Sequence, residues 1–497
     1  MLKIRTVLQR KCLLYKVLPL LFALLFVAMM TLMPHTTLFA IGQPVEVWWS
    51  SEKNPKDVAW WQAPMDITYK LAKQGNLTVT SPDGATMTTI TIDPTVKYQT
   101  MQGIGASLEE STVYNLSRMS AAKREEVLRA LVDPVNGIGM NLMRICFGTS
   151  DFTGREWYSY DDLKTPLTDP DLLKFSIQKD IDYNIISVIQ EALSYNPDLK
   201  FVATPWSPPG WVKIGPNSLC GGRINPDYFA VVAKYYRKAI QAYAAQGIPI
   251  YAFSIQNEPE VATGQYPSCA YTWQEERDFV QAVKTEFQNN NIGTKVWVLD
   301  HNFDMAMTYA GQILANAGAY AATDGVAFHD YAGEPSEMTT LHNAYPDKEI
   351  FFTERSVWGT SGMDRIMQYF RNWSCTYNAW VTMLDSNKLP NNGPFDPDPT
   401  LAIQDAANFD NYWFIPEYYM TGQFTKFVQS GAKRIKSDYG SSSTITNVAF
   451  LNPDNTIVLV AANQTLSSQQ FKILTQGGQI TATIPAGTVA TYKWTAD

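Results

Sequence analysis

Hydrophobic and polar positions divide the chain into three zones. Between residues 99 and 430, short apolar runs alternate with longer stretches of helical period. The runs at 140–147, 200–205, 251–256, 295–300, 325–329, 350–353 and 380–384 are short, continuous and rich in β-branched or aromatic residues, so they read as buried strands. Stretches 227–243 and 273–287 read as helices, the second with Phe279, Val280, Val283 and Phe287 on one face. With 103–107 as the first strand, this alternation predicts an α/β fold, a (β/α)8 TIM barrel. The flanking zones, 41–98 and 431–497, are β-rich instead, with strands at 45–49, 87–92, 456–461, 470–473 and 490–494. Turn signals such as Ser81-Pro82-Asp83-Gly84 and Asn452-Pro453-Asp454-Asn455 punctuate them. The two ends are expected to build one associated β-sandwich from N- and C-terminal segments, packed against the barrel.

Two of the predicted barrel strands end in acids. The strand at 251–256 gives way abruptly to Asn257, Glu258, Pro259 and Glu260. Pro259 has no N–H and biases Glu258 towards extended backbone, so the strand is expected to stop there. Glu349-Ile350-Phe351-Phe352-Thr353-Glu354 is a second apolar run closed by a carboxylate. A lone Asn-Glu-Pro would read as a solvated acid beyond a strand. Two acids at the catalytic end of barrel strands are the minimum equipment for cutting a glycosidic bond.

Asn257-Glu258-Pro259, Phe352-Thr353-Glu354, Ala203-Thr204-Pro205-Trp206-Ser207-Pro208-Pro209, Gly103-Ile104-Gly105-Ala106-Ser107 and Phe328-His329-Asp330-Tyr331 resemble the motifs of glycoside hydrolase family 30. The likeness runs in order from about Tyr98 to the C-terminus, and within the family it is nearest the glucosylceramidase type. That resemblance implies a retaining β-glucosidase that needs no cofactor, with Glu258 as acid/base and Glu354 as nucleophile. Retention requires carboxyls about 5–5.5 Å apart, and such neighbours titrate apart so that one can hold a proton. Asn257 is expected to reach the sugar's 2-hydroxyl, and Arg144 either keeps the nucleophile ionised or forms a structural salt bridge. Glu260 is discounted as the acid because it lies past the proline.

By motif, the carboxylate and Trp that hold a terminal glucose in this type are Glu109, with Glu110 as rival, and Trp206. Trp380 resembles the Trp that lines the pocket from the last strand. Tyr331 could bond the nucleophile or line the leaving-group side, and Asp151 could serve the 4- and 6-hydroxyls or cap a loop. Trp211 is expected to pack. The same acids would serve an endo-β-1,6-glucanase, a β-xylosidase or a xylanase of the family. A catalytically silent carbohydrate-binding protein is the reading from another class, and the presence of both acids speaks against it.

Composition narrows the partners. The chain of 497 residues carries a net charge of −8, so it lacks the basic surplus a nucleic-acid partner requires. Its 14 Trp, 26 Tyr and 23 Phe suit a carbohydrate or glycolipid substrate, although large cores bury most aromatics. No metal-ligand spacing such as Cys-x-x-Cys or His-Glu-x-x-His occurs. Lys3, Arg5, Arg10, Lys11 and Lys16 precede an apolar run at 17–33, so residues 1–40 read as a secretory signal peptide or an uncleaved signal anchor. Secretion is therefore expected, with membrane contact only through that anchor or a lipid substrate. Cys220 and Cys269 fall in loops after successive strands, where a bridge could form. Sequons stand at Asn76, Asn115, Asn372 and Asn463, with Asn115 expected near the barrel mouth.

Overall fold

The computed structural model describes residues 41–53, 59–398, 400–475 and 477–496, so the expected signal at 1–40 lies outside the described residues. Eight parallel strands form the barrel: β1 Gly103–Ser107, β2 Leu142–Cys146, β3 Lys200–Thr204, β4 Ile250–Ser254, β5 Lys295–Asn302, β6 Gly325–His329, β7 Glu349–Glu354 and β8 Thr376–Ala379. The ring closes between β7 and β8, where Cys375 N donates to Ile350 O at 2.7 Å. Beside that bond, the Thr376 hydroxyl accepts from Phe352 N and donates to Phe352 O, both at 3.0 Å. A side chain thus supplies ladder bonds that the backbone alone does not make. Between strands lie amphipathic helices such as Phe229–Ala245 and Trp273–Asn289. The second is opened by a capping box of Thr272 and Glu275, and it buries Phe279, Val280, Val283 and Phe287.

The last barrel strand departs from the sequence reading. Residues 380–384 are not the eighth strand; that strand ends at Ala379, and Met383–Asp385 joins a separate three-stranded sheet with Ala402–Gln404 and Tyr412–Phe414. The apolar run continues through both elements because both are buried, and periodicity cannot mark a break between two buried strands.

The β-rich ends do pair. Pro44–Ser51 lies against Thr488–Thr495, and the long strand Thr88–Thr100 runs antiparallel to Lys433–Ser437 and parallel to Gln469–Thr475. Val45, Val47, Ile90 and Ile92 from one end share a core with Ile435, Leu459, Phe471 and Tyr492 from the other. Cross-links to the barrel are polar as well as apolar. Gln423 Nε2 donates to Ser50 Oγ, and Thr491 Oγ1 donates to Gln423 O, both at 2.7 Å.

Cys220 and Cys269 are free thiols, as are Cys146 and Cys375. An ammonium ties their loops instead. Buried Lys213 donates to Leu219 O (3.0 Å), Gly221 O (2.7 Å) and Ser268 O (3.1 Å), and burial pushes its pKa down to about 8. Asn115 is no surface sequon: it is fully buried, and its Nδ2 donates to Met383 O and Leu389 O. Asn463 is likewise buried, whereas Asn76 is exposed. Among the described residues no helix is long and apolar enough to cross a membrane.

In β1, a Cβ on Gly105 would lie 1.9 Å from Leu142 O of the neighbouring strand. Gly105→Ala should therefore cost about 3 kcal/mol in a urea melt, whereas Gly75→Ala, in open space, should leave the midpoint in place. Equal midpoints for both variants would contradict this packing.

Candidate active site

The C-terminal ends of β2, β4, β5, β6 and β7 converge on one buried charge network. Arg144, in β2, lies at its centre and is almost fully buried. Its guanidinium donates to Glu354 Oε2, to Asp300 Oδ2 (2.9 Å), to Asn257 Oδ1 (2.8 Å) and to Thr204 Oγ1 (3.3 Å). His329, the last residue of β6, lies 3.3 Å from Glu258 Oε1 through Nδ1 and 3.1 Å from Asp300 Oδ1 through Nε2. Tyr331 OH donates to the other oxygen of Glu354 at 2.9 Å. Carboxylate oxygens of Glu258 and Glu354 lie within 4.8 Å of each other and of a His329 ring nitrogen. Acids that stand 96 residues apart in the chain meet because their strands end on the same face of the barrel.

Glu258 does not adopt the extended backbone expected before a proline. Its φ is +47°, in the left-handed region, with its N–H donating to Asp300 O at 3.1 Å. A non-glycine residue in that region costs of order 1 kcal/mol or more. Here Asp300 is also left-handed, at φ +52°, so the two strand ends turn together at the site.

Electrostatics set the protonation of the network. Asp300 is completely buried, and burial alone would raise its pKa. The charges of Arg144 and His329 and the hydrogen bonds from His329 and Thr353 hold it far below the usual carboxylate range. Burial would lower His329, but the charge of Glu354 and the hydrogen bonds to Asp300 and Glu258 push it up to about 9. Burial likewise raises Glu258, yet the hydrogen bond and charge of His329, aided by His301 and Arg144, bring it below its ordinary value. In the free site the proton of this pair therefore sits on His329, with both ring nitrogens donating to carboxylates. Glu258, His329 and Glu354 have the spacing of a metal triad, but Arg144 and protonated His329 already supply the positive charge there.

A cavity of about 550 Å³ opens over the network. Trp206 and Trp380 line one wall as a stacked pair, centroids 5.1 Å apart and 20° from parallel. Arg144 lies 4.8 Å from the Trp206 ring centre and Phe152 meets Trp380 edge-on. Asp151 faces the same space, and burial followed by the charges of Glu354 and Glu258 pushes its pKa up to about 8. Asn257 and Tyr331 line it too, as do Tyr266, His301, Asn302 and residues 395–398.

Of the residues singled out in sequence, Glu258, Glu354, Asn257, Trp206, Trp380, Tyr331 and Asp151 face this cavity, and Arg144 lies beneath it. Glu109 does not face it. It is the N-cap of helix Glu110–Arg118, accepting from Thr112 N at 2.9 Å and from the hydroxyls of Ser107 and Thr112. The free N–H groups of a helix start draw the first-loop carboxylate inward, and burial pushes it up to about 7. Its rival Glu110 accepts from Thr153 Oγ1 and Gly154 N, both at 2.6 Å, and so anchors the loop that carries Asp151. Trp380 lies just past the eighth strand rather than within it. Trp211 is packed, and Glu260 is exposed outside the cavity. Sequence reasoning missed Asp300, His301 and His329 as site residues, although Asp300 and His329 close predicted strands and His301 follows directly after Asp300.

Comparison with known proteins follows the same outline. Residues 101–428 match the glycosyl hydrolase family 30 TIM-barrel domain, and residues 431–492 match the family 30 beta sandwich domain. An endo-1,6-beta-D-glucanase of Neurospora crassa is 32% identical over 390 residues, covering 74% of this chain and 79% of that protein. The lysosomal acid glucosylceramidase of Mus musculus is 26% identical over 433 residues, covering 82% and 83%. A solved endo-beta1,6-glucanase superposes with a TM-score of 0.81 at 29% identity, over 91% of this chain and 100% of that one.

The His329 shift fixes the sign of a pH effect. Its pKa rises from an ordinary 6.5 to about 9 on folding, so the stability it contributes is complete below about pH 6.5 and lost as pH rises to about 9. Urea midpoints of the parent and of His329→Gln should therefore converge across that window. Parallel curves would contradict the assignment.

Proposed function

The chain belongs to glycosyl hydrolase family 30, and we propose that within this family it is a retaining endo-β-1,6-glucanase. The observation that carries the reaction is the approach of Glu258 and Glu354, whose carboxylate oxygens lie within 4.8 Å. That spacing suits direct attack by one acid and leaves no room for the water an inverting enzyme places between them.

Glu354 is the nucleophile. Arg144 and Tyr331 occupy one oxygen each, which fixes the carboxylate and aims it at the anomeric carbon. Glu258 protonates the departing oxygen. Its proton comes from His329: moving one proton along their 3.3 Å contact gives neutral Glu258 and a neutral imidazole that still donates Nε2–H to Asp300. After the glycosyl–Glu354 ester forms, Glu258 takes a proton from the incoming water and the cycle reverses. Asn257 has its oxygen occupied by Arg144, so its amino group is the end that meets the 2-hydroxyl. Trp206 and Trp380 supply an apolar wall for the sugar, and Asp151 supplies a hydrogen-bonding group beside it.

Likeness to endo-1,6-β-glucanases in both sequence and structure supports the substrate. The glucosylceramidase reading, nearest on motifs alone, shares the acids but requires an aglycone of two apolar chains. Thr263, Gln265, Asn302, Asp396 and Asp398 lie among the cavity's lining and offer partners to the hydroxyls of a further sugar, beside apolar Val261, Tyr266 and Phe395. The basic and apolar segment within residues 1–40 supports action outside the cytoplasm.

Digestion of a linear β-1,6-glucan, with products separated by length, should give short oligosaccharides early in the reaction. Glucose as the sole early product, with glucosylceramide cleaved and the polymer untouched, would overturn the endo-glucanase reading. In the same assays Glu258→Gln should lose about 10²–10⁴-fold on glucan and far less on an aryl glucoside whose leaving group needs no proton. Equal losses on both substrates would remove Glu258 from the acid role.

A further inference from the structure

A second cavity of about 270 Å³ lies beside the catalytic one, on the segment that follows Glu354. Asp330, Arg355, Trp358, Ser361 and Arg365 line it. The two cavities share a wall. Arg355 Cζ stands 4.6 Å from the centre of the Tyr331 ring and 6.0 Å from that of Trp358, and Arg355 Nη1 lies 3.9 Å from Asp398 Oδ2. Tyr331 and Asp398 belong to the catalytic cavity, whereas Trp358 belongs only to the second. A chain leaving the catalytic cavity across Tyr331 would therefore pass Arg355 and reach Trp358.

We propose that this second cavity is a distal subsite for a neutral glucan chain, an inference that rests on the endo-β-1,6-glucanase reading. Its chemistry fits sugar. Trp358 is partly exposed and offers an aromatic surface to the C–H patches of a pyranose. Asp330 accepts from Arg365 on both oxygens, at 2.7 and 3.0 Å, and from the Tyr369 hydroxyl on Oδ2, so its Oδ1 is a preorganised acceptor for a hydroxyl. The arginines are already matched by acids, Arg355 by Asp398 and Arg365 by Asp330 and Glu334. The cavity therefore lacks the uncompensated cation that a phosphate or an acidic sugar would require.

Trp358 also sits on a fixed support. It is the N-cap of helix Gly359–Arg371, whose first turn is held by Gly359 N donating to Glu417 Oε1 (2.9 Å) and Thr360 N donating to Glu52 Oε2 (2.6 Å). Ordering a flexible β-1,6 chain costs conformational entropy for every unit held. A second contact on a rigid element repays that cost only for substrates long enough to reach it, so the subsite should appear as a preference for longer chains.

Two variants test this, compared with the parent on an aryl β-glucoside and on β-1,6-gluco-oligosaccharides of increasing length. Trp358→Ala removes the aromatic surface, and Ser361→Trp fills the cavity from an exposed position. For each, the ratio of kcat/KM on long glucan to kcat/KM on the aryl glucoside should fall about tenfold, through KM, with the thermal midpoint retained. An unchanged ratio in both variants would overturn the subsite. Failure of the parent to cut β-1,6-glucan would count against the earlier reading instead. Calorimetric binding of a long β-1,6-gluco-oligosaccharide to Glu354→Gln then decides the subsite: weaker affinity on adding Trp358→Ala upholds it, and equal affinity overturns it.

Discussion

Everything at the site depends on one buried guanidinium. Arg144 is enclosed by protein, and Asp300 and Glu354 are each buried with it. Removing such charges from water costs several kcal/mol per ion unless partners meet them with good geometry. Here the geometry is supplied by a barrel that brings five strand ends to one place, so that Arg144 bonds Glu354, Asp300 and Asn257 together. The same contacts that make the charge tolerable in the interior also orient the Glu354 carboxylate and the Asn257 amide. Fold stability and chemical competence rest on the same interactions.

His329 completes the arrangement by balancing two carboxylates. It bridges Asp300, which is bound so tightly to cations that it stays ionised, and Glu258, which faces the cavity. The pair shares one proton along a 3.3 Å contact at the edge of the cavity. An acid catalyst usually achieves this by raising its own pKa. In the mechanism proposed for this site a histidine stores the proton and the carboxylate delivers it.

Much of this was legible in the chain. Alternating strands and helices gave the barrel, the β-rich ends gave the sandwich, and a carboxylate at the close of an apolar run marked Glu258 and Glu354. What escaped has physical causes. Glu109 matches the family's pocket acid by motif, but helix-start N–H groups compete for it, and a motif cannot weigh that competition. His329 stands in a family motif and Asp300 closes a predicted strand, but their importance comes from three-dimensional charge balance with Arg144 and Glu258, which no local pattern records. The left-handed turn at Glu258 runs against the local preference before proline and is imposed by its contact with Asp300. Cys220 and Cys269 lay in suitable loops, yet Lys213 holds those loops through carbonyl groups, and the thiols stay free.

The central claim is that two carboxylates, held by Arg144 and His329, cut a β-1,6-glucan with retention. Proton NMR during the first minutes of digestion follows the anomer of each new reducing end before it mutarotates. The account predicts that β anomers appear first and α anomers follow only at the rate of spontaneous mutarotation. Initial release of α anomers would mean that water attacks directly, and the role assigned to Glu354 would fall.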